Sequence, residues 1–467
     1  MINIFYNEWK GFLRNKIFIF FTSFFVVLLS LATYFAIVQN NKQIKSQQDA
    51  HNHIRMQWDE LDSTNAHSAA HYGTYAFKSN TILNSLDEGI NSVTGLVLRL
   101  EGHKQNDVAF SEVSQSLEIS KFGKFKPSLL FQFIIPLFLI FLTFNSYTSE
   151  ISSGRLKLLI IQGDSLFKIV FGKIITLLSL SIFLLLLSVF IQYLFNFSAL
   201  SSDEINRLAI FFFGYLMYYF IIITLTILLS ILFKNSTSAL STTIIIWLLW
   251  TVFLPKTIGN LTESLSPLPT RFELKSKMAE DRSKGIDGHN PSDERRSKLE
   301  KVTLEKYNVD SLSQLPINFS GILLQADEEY GNKVWDKHFG KVYSILKEQK
   351  RNYQLSGLIN PFASIQSLSM GTCGTDLIHH LDFLSQAEIY RRYFVKKLND
   401  EYTVVSTLGE NAYLSNNKFF KSINDFDYLN LNFLSVFYYY LYDLLFLFAW
   451  TLFLMFFIVF KTGKLIL

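Results

Sequence analysis

The sequence predicts an α-helical integral membrane protein: six transmembrane helices with two extracytoplasmic insertions of mainly helical or mixed structure. Three observations predict it. The 467-residue chain is 49% hydrophobic but only 18% charged, with a mean hydropathy of +0.22, whereas soluble chains average about 25% charged. Phenylalanine alone occurs 46 times. The apolar residues gather into runs of about 17 or more, long enough to cross a hydrocarbon core of roughly 30 Å. The net charge of +4 is small and sits mostly in particular loops, so it argues orientation in a membrane rather than nucleic-acid binding.

Residues 1–16 read as a cytoplasmic interfacial helix, with Phe5, Trp9, Phe12 and Leu13 on one face and Lys10 and Arg14 elsewhere. Span 1 covers 17–38. Its basic flank resembles the start of a signal peptide, but the apolar run is too long and lacks a small-x-small cleavage site, so it reads as a retained anchor. Residues 39–128 form a first extracytoplasmic domain. Its histidines (His51, His53, His67, His71, His103) invite a metal reading, and His67 and His71 have the i, i+4 spacing that puts two imidazoles on one helix face. No clustered third ligand is evident, and the histidines are read as structural. The following HYGTYAF reads as an aromatic loop or strand.

Span 2, 129–147, opens with sixteen uncharged residues, LLFQFIIPLFLIFLTF, in which Pro136 introduces a tolerable kink. Residues 148–168 form a cytoplasmic loop holding Glu150, Gly154, Arg155, Leu156, Lys157, Leu158, Leu159 and Gly163. Gly163 followed by Asp164-Ser165 is a helix stop and then a helix start. The loop is expected to be a short amphipathic helix held between two membrane helices, able to transmit force from a cytoplasmic partner. Its three leucines crowd one turn with no core of their own and are expected to seat in a partner's groove, while Glu150 and Arg155 pair with charges at the rim.

Spans 3, 4 and 5 cover 169–195, 208–233 and 238–254, with Lys173 near the start of span 3 and Trp247 and Trp250 fitting the outer end of span 5. Residues 255–430 form a second extracytoplasmic domain. Asn290-Pro291 opens a charged helix. Leu323, Ala326, Tyr330, Val334 and His338 mark an amphipathic helix, and Phe383, Ala387, Tyr390, Phe394 and Leu398 mark another. Arg391, Arg392, Lys396 and Lys397 lie off that stripe and read as a solvated face. The single cysteine, Cys373, cannot form an intrachain disulfide and reads as a buried structural thiol. Span 6 covers 431–460, with Tyr438, Tyr439, Tyr440 and Tyr442 as an aromatic belt that places Asp443 at the interface. A cytoplasmic tail, 461–467, follows.

Short-loop cations set the orientation. Lys10, Arg14 and Lys16, then Arg155, Lys157 and Lys168, then Lys234, then Lys461 and Lys464 all fall on one side of a six-span chain. That side is expected to be cytoplasmic, in a bacterial inner membrane, with both termini inside. The chain holds no G-x-x-x-x-G-K-[ST] phosphate loop, G-x-S-x-G, H-E-x-x-H or C-x-x-C. It is therefore expected to have no catalytic, cofactor or metal site of its own.

Six spans with Glu150, Gly154-Arg155-Leu156, Leu158-Leu159 and Gly172-Lys173 resemble the permease subunits of type-two ABC exporters. These carry an acid, a Gly-Thr-Leu-like step, leucines and a Gly-Lys pair in the loop between spans 2 and 3; here Arg155 stands where Thr is usual. The segments His67–Lys78, Leu100–Asp107, Lys121–Leu137 and Asn360–Asp400 resemble, more narrowly, a bacterial subfamily with large insertions after spans 1 and 5, known as a domain of unknown function. The resemblance implies a separate ABC ATPase subunit that holds the ATP, and a dimer of permeases made from a second copy or a related chain. It does not give the substrate. Two other classes compete: a membrane-anchored sensor or scaffold whose outer domains bind an extracytoplasmic partner, and an extracytoplasmic metalloenzyme using His67, His71, His379 and His380. Six spans and the loop favour transport, since an enzyme anchor needs only one or two spans.

Overall fold

Among the described residues, six helices are long and apolar enough to cross a membrane, and their order explains the shape. The structure is a computed structural model that describes residues 2–106, 125–196, 200–233, 235–406 and 413–464. Lys234 and the tail beyond residue 464 lie outside the described residues. Helix α1 (Ile2–Arg14) precedes α2 (Lys16–Asp59), whose N-terminus Asn15 caps by accepting from Ile17 N at 3.0 Å. At 1.5 Å per residue, the 44 residues of α2 span about 66 Å, about twice the hydrocarbon thickness. The expected end of span 1 at 38 is thus not a helix end. The apolar half crosses, and the polar half continues as a stalk because nothing from Gln39 onward breaks the helix.

Helix α3 (Ala66–Tyr72) and a three-stranded antiparallel sheet, β1 (Thr74–Phe77), β2 (Val97–Glu101) and β3 (Lys104–Gln105), belong to the described part of the first insertion. Span 2 is α4 (127–143), and the loop that follows carries α5 (Thr148–Ser152) and α6 (Arg155–Ile161). Then come α7 (Leu166–Asn196), α8 (Ser202–Leu232) and α9 (Ser236–Leu265). Both α4 and α9 contain a π-helical turn, Leu130–Ile134 and Leu249–Phe253, each two residues before a proline, Pro136 and Pro255. Proline has no N–H to donate and crowds the preceding turn, and a widened turn absorbs both defects without ending the helix.

The second insertion contributes α10 (Arg271–Lys284), α11 (Ser292–Tyr307), α12 (Phe319–Leu355), α13 (Pro361–Thr372), α14 (Leu377–Val405) and α15 (Asn417–Ser422), and span 6 is α16 (Phe433–Gly463). The hub of the bundle is α8, started by a capping box between Ser201 and Glu204. It packs against α4, α7, α9, α13 and α16 and is mostly buried, whereas α2, α9 and α16 leave most of their apolar faces exposed.

The two insertions pack together through two hydrophobic clusters. Trp58, Ala66, Ala69 and Ala70 from the first pack on Phe394, Leu398 and Phe420 from the second. Ala76, Leu98 and Leu100 pack on Phe383, Ala387, Phe426 and Tyr428. Alternation along β2 puts Leu98 and Leu100 inward, and the i, i+4 stripe of α14 supplies the facing surface. This polar body stands at one end of the bundle, and α5–α6 stand at the other.

Two sequence expectations about charge are corrected here. Arg391 is not on a solvated face. It is 1% exposed, donates to Glu328 at 3.0 Å and Glu388 at 2.8 Å, and Arg392 pairs with Asp336 at 2.6 Å. The reason is α12, which packs along α14 and lays its acids over that face. Asp443 is not open to water or headgroups among the tyrosines: it is fully buried and accepts from Gln354 at 2.6 Å and Ser367 at 2.8 Å. Helix α13 packs against α8 and α16 and, with the end of α12, covers that acid. Cys373 is buried, and burial pushes its thiol up.

Candidate functional site

The loop between spans 2 and 3 is an elbow of two short helices. After α5, Gly154 takes φ +72, a left-handed conformation that costs a residue with a Cβ about 1–2 kcal/mol. Helix α6 then runs seven residues and stops in a Schellman closure. Asp164 N–H donates to Leu159 O at 3.2 Å and Gly163 N–H to Ile160 O at 3.0 Å, with Gly163 at φ +97. Ser165 Oγ then accepts from Lys168 N at 3.3 Å at the start of α7.

The elbow is bonded to three membrane helices. Tyr147 N–H donates to Ser230 Oγ on α8 at 3.2 Å, and Thr148 Oγ1 lies 2.6 Å from Ser236 Oγ on α9. Glu150 is 6% exposed and accepts from Lys173 Nζ of α7 at 3.1 Å, while Arg155 Nε lies 3.4 Å from its other oxygen. Lys173 also reaches Glu8 of α1 at 2.6 Å, and Trp9 Nε1 donates to Ser179 Oγ of α7 at 3.0 Å. One buried cation therefore ties α1, α5 and α7 together. Glu150 is not a free rim charge, because its carboxylate is spent on Lys173 and Arg155.

The leucines divide. Leu156 is 1% exposed and part of the main core, so it cannot seat in a partner. Leu159 is partly buried against the same core, as is Ile160. Leu158 is 60% exposed and Ile161 81%, and Ile151 on α5 is also exposed. A seven-residue helix lying on the bundle must turn one face inward, and periodicity in so short a segment cannot say which. Ile151 and Ile161 sit outside the leucine cluster, so the sequence pattern does not point to them. The elbow thus presents apolar side chains to solution on its outer face and hydrogen bonds to the spans on its inner face.

The polar body holds a second set of titratable groups, among them the His379 and His380 that the sequence offers as metal ligands. Although burial opposes it, Lys350 and His379 hold Asp376 well below the usual carboxylate range, with Lys350 Nζ at 2.8 Å and His379 Nδ1 at 2.6 Å. Burial, and then the charge of Lys78, brings His380 down to about 4. His379 and His380 do not join His67 and His71. Among the described residues, the His, Cys, Asp and Glu atoms that converge are those of His67, His71 and His103. The expectation of no third ligand is corrected: the β2–β3 turn folds His103 back over α3, a contact that spacing along the chain cannot reveal.

Comparison with known proteins places these elements. Residues 2–292 match the family model described as ABC-2 family transporter protein, and residues 271–429 match a domain of unknown function (DUF3526). No curated protein and no solved structure matches the chain.

Proposed function

Since the chain belongs to the ABC-2 transporter family, as a multi-pass permease subunit of an ABC transporter, we propose that it is an exporter permease moved through the α5–α6 elbow by a separate ATPase subunit. The observation that carries this reading is the two-faced elbow. Ile151, Leu158 and Ile161 are exposed on one side, while Glu150, Thr148 and Tyr147 are bonded to α7, α8 and α9 on the other. A push on the outer face reaches three spans through short polar contacts. Driven closure of the ATPase supplies the free energy, and the permease contributes two packings that differ in affinity for the partner.

In this reading the elbow end is cytoplasmic, in keeping with the short-loop cations, and the polar body stands outside a bacterial inner membrane. One six-helix bundle supplies half of a transport pathway. The exposed apolar faces of α2, α9 and α16 face lipid and a second permease, either another copy or a related chain. The chain itself needs no ATP site; the nucleotide belongs to the partner.

Burying an apolar side chain contributes roughly 1.5–3 kcal/mol, so Leu158 and Ile161 together account for about two to four orders of magnitude in affinity. The test is the L158D/I161D double variant, co-expressed with the ATPase. Both positions are exposed, so the six spans remain inserted and folded, and the ATPase no longer co-purifies. Undiminished association and ATP turnover in the double variant would remove the elbow as the coupling element.

A further inference from the structure

We propose that the polar body binds a zinc-class divalent transition-metal ion through His67, His71 and His103. The cluster lies in the polar body and is independent of the elbow and of the transport reading.

Helix α3 is short, and its inner face is fixed by three alanines, Ala66, Ala69 and Ala70, packed on Trp58, Phe394, Leu398 and Phe420. Its start is held by Asn65, whose side chain accepts from His67 N at 2.9 Å and Ser68 N at 3.3 Å. That anchoring turns His67 and His71, one helical turn apart, to the same outer face. Their Nε2 atoms lie 3.2 Å apart. Two ligands at 2.0–2.1 Å from a tetrahedral zinc stand about 3.3 Å from each other, so this pair already has the spacing of one tetrahedral edge.

The third imidazole arrives from the β2–β3 turn. Gly102 N–H donates to Ala70 O at 2.9 Å, and a Cβ on Gly102 would lie 3.3 Å from that of Ala70, tighter than ordinary contact, so the turn sits directly on α3. His103 follows at φ +62, a left-handed conformation that is uncommon outside glycine and that aims its ring at the pair. The ring centroids of His103 are 5.3 Å from His67 and 5.2 Å from His71. One ligand nitrogen from each of the three lies within 4.8 Å of the others.

The outer partners are those of a metal-binding histidine. His103 Nδ1 stands 2.9 Å from Glu328 Oε1, and the backbone N–H of His103 donates to the same oxygen. Glu328 is buried and held in turn by Arg391 at 3.0 Å. A carboxylate that accepts from Nδ1–H fixes the tautomer and leaves Nε2 with its lone pair free, the arrangement typical of carboxylate–histidine–metal sites. Three imidazoles, with no thiolate and no carboxylate in the ligand set, suit Zn²⁺ and its neighbours and disfavour Ca²⁺ and Mg²⁺. His71 is exposed, so the site opens to solution and water can take the fourth position. Bound there, the ion would clip α3 to the sheet, and through His103, Glu328 and Arg391 it would join the first insertion to α12 and α14 of the second.

The experiment uses the full chain in detergent, purified through a tag free of histidine, stripped with chelator and equilibrated with Zn²⁺ alone. Bound metal is counted by mass spectrometry, and Co²⁺ substitution reports the geometry by its visible absorption. One Zn²⁺ per chain, a tetrahedral Co²⁺ spectrum and a raised melting midpoint are expected. H71Q, at an exposed position, should melt as the parent does without metal but lose the bound equivalent, with affinity lowered at least 100-fold. No saturable Zn²⁺ binding, or one equivalent retained in both H71Q and the H67Q/H71Q pair, would overturn the proposal.

Discussion

Both ends of the molecule bury paired charge, Lys173 with Glu150 and Glu8 beside the elbow, but they differ in what they leave outside. In the polar body, charge goes inside and is paired there: Arg391 with Glu328 and Glu388, Asp376 with Lys350 and His379. At the elbow, apolar side chains stay outside: Ile151, Leu158 and Ile161. A buried charge is tolerable only where the same chain supplies its partner, because several kcal/mol of desolvation must be offset locally. An exposed apolar face has no such requirement within the chain and is completed by another molecule. In the polar body the chain supplies these ionic partners itself; at the elbow, in the proposed reading, another molecule covers the apolar side chains.

The largest expected effect breaks the first half of that contrast. Arg391→Met leaves Glu328 and Glu388 without their buried cation and should cost about 3–5 kcal/mol. Limited proteolysis should then find the polar body open, while the ATPase still co-purifies through the elbow; equal loss at both ends would show that the two are not separable. A smaller effect appears with pH. His380 ordinarily titrates near 6.5 but is held down to about 4 in the fold. Between those values the unfolded chain binds the proton and the folded chain does not. The contribution is therefore fully present above pH 6.5 and falls away as pH drops toward 4, by about 3 kcal/mol at most. Melting midpoints measured across that window should fall for the parent and fall less for His380→Gln. The smallest effect is a change of sign between two glycines with open space around them. Gly163→Ala places a Cβ at φ +97 and should destabilise by about 1 kcal/mol. Gly340→Ala lies inside α12 and should stabilise by about the same amount.

What the sequence made legible is what a single helix can report. The apolar runs mark six membrane helices, and the Phe383–Leu398 stripe marks the inner face of α14, because periodicity records which side of one element is buried. Resemblance points to Glu150 and Gly172-Lys173, but their ion pair depends on α5 folding onto α7, and its extension to Glu8 on α1 lying against α7. The same limit explains the corrections. Arg391 lies off the stripe of α14, but α12 covers it from a second direction. Asp443 sits among tyrosines, but α13 folds over it. His103 is more than thirty residues from His67, and only the sheet brings it back. Tertiary partners override a one-helix pattern wherever a second element packs on the polar face.

The central claim is that the elbow and the polar body face opposite compartments, each with its own partners. It is tested most directly by single-cysteine labelling of intact cells in a Cys373→Ser background, comparing Ile161→Cys on the elbow with Ser292→Cys at the start of α11. Both positions are exposed. In cells lacking the ATPase subunit, which would otherwise cover Ile161, the account predicts that a membrane-impermeant maleimide labels Ser292→Cys while the cells are intact and labels Ile161→Cys only after permeabilisation. Labelling of Ile161→Cys from outside, with Ser292→Cys protected until the membrane is opened, would contradict it.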